Sequence, residues 1–386
     1  MSSSTSNSNP HYRYVKRLLA LALIPAFGLF SLGVYLQPLY GDLTRIGSYS
    51  EKEFGWNKPQ LEFQYPLFDI GRYDRYYDVV VLGDSFSNAR PRHQWQNHLV
   101  KATGWSVTTL DFGKTKLDQV LESKFFHENP PKYLILEWVE RSLPQRIRRI
   151  QSCKVADLPS RKKSSSIRFY QTMPLKPDER NYLALHVERK TDWSDIKLGW
   201  VFRYVWHNVS RIINGNEYTD ATNVKLSRPA PFSSINKKTL LVYKSDLSKV
   251  AEWRQIRLAE MGCGIEMMRD KVEANGYTQF VLMVAPDKLT AYADFIGEKD
   301  LRNTSRLSTL SDQYPGIMPR LDLTLISAIH QGEQDVYLPD DTHWGSTGQK
   351  IAAGTLLTFL RAGTGKLNES SRHFYTYTAK ALPALL

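Results

Sequence analysis

The stretch Leu18–Leu36, LLALALIPAFGLFSLGVYL, carries no charged residue and matches the length of a helical crossing of a bilayer core. Within lipid, the backbone polar groups of a lone segment must be satisfied inside that segment, so it has to be a helix. Arg13, Lys16 and Arg17 precede it. The positive-inside rule then predicts a cytoplasmic tail at 1–17, a transmembrane anchor at 18–36, and residues 37–386 across the membrane. A signal peptide shares this layout, but Gly33, Val34, Tyr35, Leu36 and Gln37 stand where a small-x-small cleavage site would be needed. A retained anchor is expected.

The exported part is long and apolar enough to bury the core of one large domain. Cys153 and Cys263 lie in it, where a disulfide is permitted but a single pair of unknown separation does not establish one. Neither has a partner at metal-ligand spacing, so no metal site is expected. Between Arg141 and Lys176 the chain carries ten Lys or Arg and a single acid, Asp157, which predicts a positive surface. That surface suits either a loop beside an anionic membrane or a groove for an acidic polymer. An exported domain without a nucleic-acid-binding motif makes nucleic acid a poor partner.

Tyr77–Leu82 (YDVVVL) is a β-branched apolar run ending at Gly83, the pattern of a strand buried on both faces. Gln94–Thr103 and Leu117–Phe125 read as helices; Trp105–Leu110 and Tyr133–Val139 read as the next strands. This alternation predicts an α/β fold, a parallel sheet flanked by helices. Residues from about 141 to 248 break it and are expected to form an insertion or cap. Within them, Leu198, Val201, Phe202, Val205, Trp206, Val209, Ile212 and Ile213 follow helical spacing, and packing of that stripe onto the core is expected. Alternation resumes with a helix at 247–275, a strand at Phe280–Val284, a helix at 321–330, a strand at Asp335–Leu338 and a closing helix at 345–360.

In open α/β sheets, reactive groups gather at the carboxyl ends of the strands. Three expected strand ends carry such groups: Gly83-Asp84-Ser85, Asp111-Phe112-Gly113, and Asp340-Asp341-Thr342-His343-Trp344. A serine hydroxyl becomes a nucleophile when an imidazole removes its proton, and a carboxylate orients that imidazole. Ser85, His343 and Asp341 supply the set, with Asp340 as a rival carboxylate. The amides of Ser85 and Gly113 are the expected oxyanion donors. Asp84 and Ser85 could equally cap a helix, as could Asp341 and Thr342, and His343 alone would be an ordinary histidine. Their joint placement at separate strand ends favours chemistry.

Strand-GDS near the start and Asp-x-His near the end resemble the SGNH hydrolase superfamily, whose fold is a flavodoxin-like parallel sheet. More closely, VVVLGDSFS, LILEWVERSLP, VAPDKLTAY and YLPDDTHWGSTG resemble motifs of SGNH-like proteins that O-acetylate alginate and related exopolysaccharides. The resemblance implies catalytic roles for Ser85, Asp341 and His343, with Trp344 and Asp84 in support and no cofactor. It also implies a bacterial inner-membrane protein with its domain in the periplasm. The expected reaction moves an acetyl group to a polysaccharide, acidic if the basic run holds it, with a membrane-bound O-acyltransferase supplying acetyl. An esterase acting on the same polymer and a non-catalytic export scaffold are the alternatives. Two departures stand out: the serine motif precedes DTHW, whereas in the alginate proteins it follows, and there is no GxND block. Glu137 and Arg141 occupy that block's region and are expected to form a supporting ion pair.

Overall fold

The computed structural model describes residues 10–37, 39–150, 183–189, 197–215, 219–302 and 305–364. Nine strands are present among them: β1 (Gln60–Phe63), β2 (Asp69–Ile70), β3 (Val79–Gly83), β4 (Val107–Asp111), β5 (Tyr133–Val139), β6 (Ala184–Val187), β7 (Ala221–Lys225), β8 (Thr239–Tyr243) and β9 (Gln279–Ala285). Five of them form one sheet in the order β2-β4-β3-β5-β9, with every pairing parallel. This is an α/β domain.

The apolar run of β3 is buried along its whole length because both sheet faces are covered. Val79 and Val81 face a core shared with the helices Trp95–Thr103, Leu321–His330 and Ser346–Thr364. Val80 and Leu82 face the opposite core, built from Leu117, Leu143, Ile147 and the helix Leu258–Glu273. Gly83 sits in register with Asp111 on one side and Glu137 on the other. The carboxyl ends of the three central strands therefore form one rim. After β3 the chain was extended to one side through β4 and to the other through β5, and the rim above that reversal is where a parallel sheet leaves a crevice.

Several expected elements take other forms. The helix expected at 117–125 is two short ones, Leu117–Leu121 and Lys124–Glu128, because the Ser123 hydroxyl accepts from the Phe126 amide and starts a new helix. The helix expected at 247–275 is also two, Lys244–Gln255 and Leu258–Glu273. The strand expected at Asp335–Leu338 does not join the sheet. Asp335 adopts φ +55°, and Tyr337 bridges only to Trp344 across a tight loop. Its backbone groups are bonded locally instead: the Asp335 amide donates to the Pro231 carbonyl, the Leu338 amide to the His343 carbonyl, the Val336 carbonyl accepts from the Gly345 amide, and Lys288 bonds the Leu338 carbonyl.

The stretch expected as an insertion or cap contributes β6, paired antiparallel with β1, and the antiparallel pair β7–β8. Val224, Phe232, Leu240 and Val242 from it join the same core as Val79 and Val81. Most of the basic run, residues 151–182, lies outside the described residues. Of its described members, Arg141 and Arg146 turn inward to Asp287 and Asp84. Cys263 is disulfide-bonded, and Cys153 lies outside the described residues. The apolar stripe at 198–213 does form a helix, Leu198–Asn214, but its stripe is not packed onto the core; Phe202, Trp206, Ile212 and Ile213 are exposed. The N-terminal helix Pro10–Leu36 is long and apolar enough to span a membrane, and little of it is buried.

Gly83 is required by close approach at the sheet rim. A Cβ there would stand 2.7 Å from Ser87 Cβ and 2.9 Å from Glu137 Oε2. Gly83→Ala is therefore expected to lower the unfolding free energy by about 1–3 kcal/mol through overpacking, measured by denaturant unfolding of the detergent-solubilised chain. An unchanged midpoint would show that the rim yields freely.

Candidate active site

Ser85 is the first residue of the short helix Ser85–Asn88, directly after β3. Asp84 caps that helix: its carboxylate accepts from the Phe86 amide, and also from the Val139 amide and Arg146. This fixes the turn and leaves the Ser85 side chain exposed on the rim. His343 arrives from a loop 258 residues away in sequence. Its Nε2 lies 2.8 Å from Ser85 Oγ and its Nδ1 2.8 Å from Asp341 Oδ1. Asp341 Oδ1 also accepts from the His343 amide at 3.1 Å, and Oδ2 accepts from Arg90 at 2.9 Å. Phe86 packs against the His343 ring with centroids 4.9 Å apart, and Trp344 closes on Phe86 edge-to-face.

Burial opposes the charge on Asp341, but His343 and Arg90 outweigh it and hold the carboxyl below its ordinary range. Asp340 is in the opposite condition. Burial and the neighbouring Glu51 carboxylate push it well above its ordinary range. The rivalry left open by the sequence is thereby resolved in space: the structure brings Asp341, not Asp340, to the imidazole.

The loop bearing these residues is held from below by Lys288. Its buried ammonium donates to the carbonyls of Leu338 (2.8 Å), Pro339 (2.9 Å) and Asp341 (3.0 Å), one acceptor for each N–H. Burial pulls this lysine down to about 7, opposed by the carboxyl groups of Asp340, Asp341 and Asp335. From the other side, the amides of Leu43 and Thr44 donate to the Asp340 carbonyl at 3.0 and 3.3 Å. A Cβ at Gly41 would collide with that same carbonyl.

Other expected participants are placed differently. The Gly113 amide is committed to Asp111 Oδ1 at 2.8 Å, so it is not a preformed oxyanion donor. The Ser85 amide, at the first position of a helix, has no acceptor among the described residues and is available for that task. Glu137 and Arg141 are not an ion pair. Glu137 is pushed well above its ordinary range by burial and by Asp84, and it accepts from Ser87 Oγ and the Asp84 amide. Arg141 pairs instead with Asp287 at 2.7 Å and Asp246 at 3.3 Å. Trp344 is buried against Phe86, which itself packs on the imidazole.

Arg90, Lys288, Glu51 and Asp42 were not singled out from the sequence. Arg90 follows the serine by only five positions, the one signal that could have exposed it. Asp42 Oδ2 lies 3.8 Å from His343 Nδ1. Asp42, Asp341 and His343 thus bring ligand-type atoms together, but Arg90 already neutralises Asp341 and both ring nitrogens of His343 are engaged. Beside the imidazole lies a cavity of about 550 Å³ lined by Tyr40, Trp56, Arg90, Arg189, His343 and Trp344 among others.

Residues 241–384 match the family described as the SGNH hydrolase-like domain of the acetyltransferase AlgX. The matched stretch is similar to that domain and covers less than half of the chain. It contains Lys288, Asp340, Asp341 and His343, whereas Ser85, Arg90, Gly113 and Glu137 lie before it. Comparison with curated proteins and with solved structures gives no match.

Removing the Lys288 ammonium strands the buried Pro339 and Asp341 carbonyls and leaves the Leu338 carbonyl with only the Asp341 amide, 3.3 Å away. Lys288→Met is expected to lower stability by about 3 kcal/mol and to cut turnover of an acetyl ester at least tenfold. Unfolding curves and ester kinetics on the same preparation check both. Full activity would mean that the loop holds itself.

Proposed function

We propose that this chain is a membrane-tethered O-acetyltransferase that works through an acetyl-Ser85 intermediate and passes acetyl to a hydroxyl of an exported polysaccharide. The observation that carries this reading is the continuous hydrogen-bonded chain Ser85 Oγ–His343 Nε2, His343 Nδ1–Asp341, each link 2.8 Å, beside a sizeable cavity. In the first step Ser85 Oγ attacks the acetyl carbonyl while His343 takes its proton, and Asp341 stabilises the resulting imidazolium. The Ser85 amide donates to the developing oxyanion. His343 then protonates the leaving group. In the second step a sugar hydroxyl gives its proton to His343, attacks the acetyl carbonyl and releases Ser85 with the proton returned.

The membrane side supports the same reading. Tyr40 and Gly41 line the cavity, and Tyr40 stands four positions after Leu36 at the end of the apolar helix. Four extended residues reach at most about 14 Å, so the site lies close to the bilayer. A membrane-bound O-acyltransferase handing acetyl across would meet it there. The cavity's aromatic walls suit the apolar face of a sugar, and Arg90 suits an acidic one. Hydrolysis is the second reading, favoured by the exposure of Ser85, which admits water to the acyl-enzyme.

The full chain in vesicles, given an acetyl ester and an acidic glycan, is expected to yield acetylated glycan. Ser85→Ala and Asp341→Asn should each lower that yield by about three to four orders of magnitude. Release of free acetate at a rate indifferent to the glycan would instead make the protein an esterase.

A further inference from the structure

The helix Leu198–Asn214 is amphipathic in the reverse of the usual sense. Its polar side faces the protein: His207 Nδ1 lies 2.8 Å from Ser48 Oγ, Asn208 Nδ2 donates to the Ser48 carbonyl at 3.2 Å, and Arg211 stacks on the Tyr49 ring. Its apolar side faces outward, with Phe202 and Trp206 each 65% exposed, Ile213 73% and Ile212 83%. On a water-soluble surface the sides would be exchanged. Six apolar residues from Phe202 to Ile213 share that outward face at helical spacing, which makes it a continuous patch rather than scattered exposure.

The contacts of the first turns say what covers it. Trp200, Val201 and Tyr204 pack on Leu29, Leu32 and Leu36, near the carboxyl end of the apolar helix Pro10–Leu36. The later turns instead lie on Gly47–Tyr49 of the α/β domain, so the helix leaves the membrane helix and runs out beneath the domain. Leu29 lies seven residues before Leu36, about 10 Å along a helix. That distance corresponds to the depth of about 5–10 Å at which interfacial helices sit in the headgroup–acyl boundary. Exposed Lys197 and Arg203 flank the apolar face where anionic headgroups would meet them.

We infer that Leu198–Asn214 is an interfacial helix whose Phe202–Ile213 face is embedded in the bilayer leaflet on the side of the α/β domain. It rests on the reading of Pro10–Leu36 as a membrane span and is independent of the reaction catalysed. The same helix grips Gly47–Tyr49, directly after the helix Asp42–Gly47 whose Leu43 and Thr44 amides hold the Asp340 carbonyl. The membrane contact thereby fixes the height and tilt of the His343 loop above the lipid surface.

The test places spin labels on cysteines introduced into the full chain, one at a time, as Leu21→Cys, Trp206→Cys, Ile213→Cys and Lys299→Cys. The chain is reconstituted in phosphatidylethanolamine–phosphatidylglycerol vesicles, and accessibility to oxygen and to a water-soluble nickel chelate is measured. Labels at 206 and 213 are expected to favour oxygen over nickel, at a depth shallower than 21, while 299 reads as water. Labels at 206 and 213 that match 299 would overturn the inference. So would labels shielded from both reagents, which would place protein on the face. If 21 itself reads as water, the span has failed and the inference with it. Native Trp206 gives a label-free check: brominated lipids should quench the unlabelled chain more than Trp206→Phe, and equal quenching would count against embedding.

Discussion

One buried ammonium holds the reactive loop. Lys288 satisfies three carbonyls of the 338–341 turn with its three N–H groups, and that turn carries Asp341 and leads directly into His343. The carbonyls point down to the lysine and the imidazole is delivered upward to Ser85. The surrounding carboxyl groups divide into two kinds for the same reason. Asp341 has His343 and Arg90, which hold its carboxyl below its ordinary range, whereas burial and neighbouring carboxylates push Asp340 and Glu137 well above theirs despite Lys288 and Arg146 nearby.

The parallel sheet was legible because burial on both faces leaves its mark directly in β3, β5 and β9 as continuous apolar runs. Ser85, Asp341 and His343 were legible because each stands in a short motif at the end of such a run or in a distinctive turn. Arg90, Glu51 and Lys288 were not, since an arginine, a glutamate or a lysine in isolation reads as surface. Their meaning comes from partners between about 50 and 290 positions away, Asp341, Asp340 and the Leu338 carbonyl. Gly113 was misplaced for a local reason: an aspartate two residues earlier takes its amide in a turn. Glu137 and Arg141 were paired by proximity in sequence, but strand direction sends Glu137 toward Ser87 and the following turn sends Arg141 to Asp287.

The apolar stripe at 198–213 shows the same limit from another side. Periodicity identifies the helix and its apolar face, but not whether that face meets a protein core or lipid. Only the neighbours decide, and here the apolar helix Pro10–Leu36 is one of them. The His343 loop, the apolar helix Pro10–Leu36 and the helix Leu198–Asn214 all make contact with residues between Leu36 and Tyr49.

The central claim is that Ser85 is the residue that carries acetyl. Incubation of the full chain with an activated acetyl ester, acid quenching and peptide mass spectrometry measure this directly. The account predicts one acetyl group on the peptide containing Ser85, absent from His343→Ala and discharged when glycan acceptor is added before the quench. Turnover of the ester with no acetyl on Ser85 at any time of quenching would contradict it.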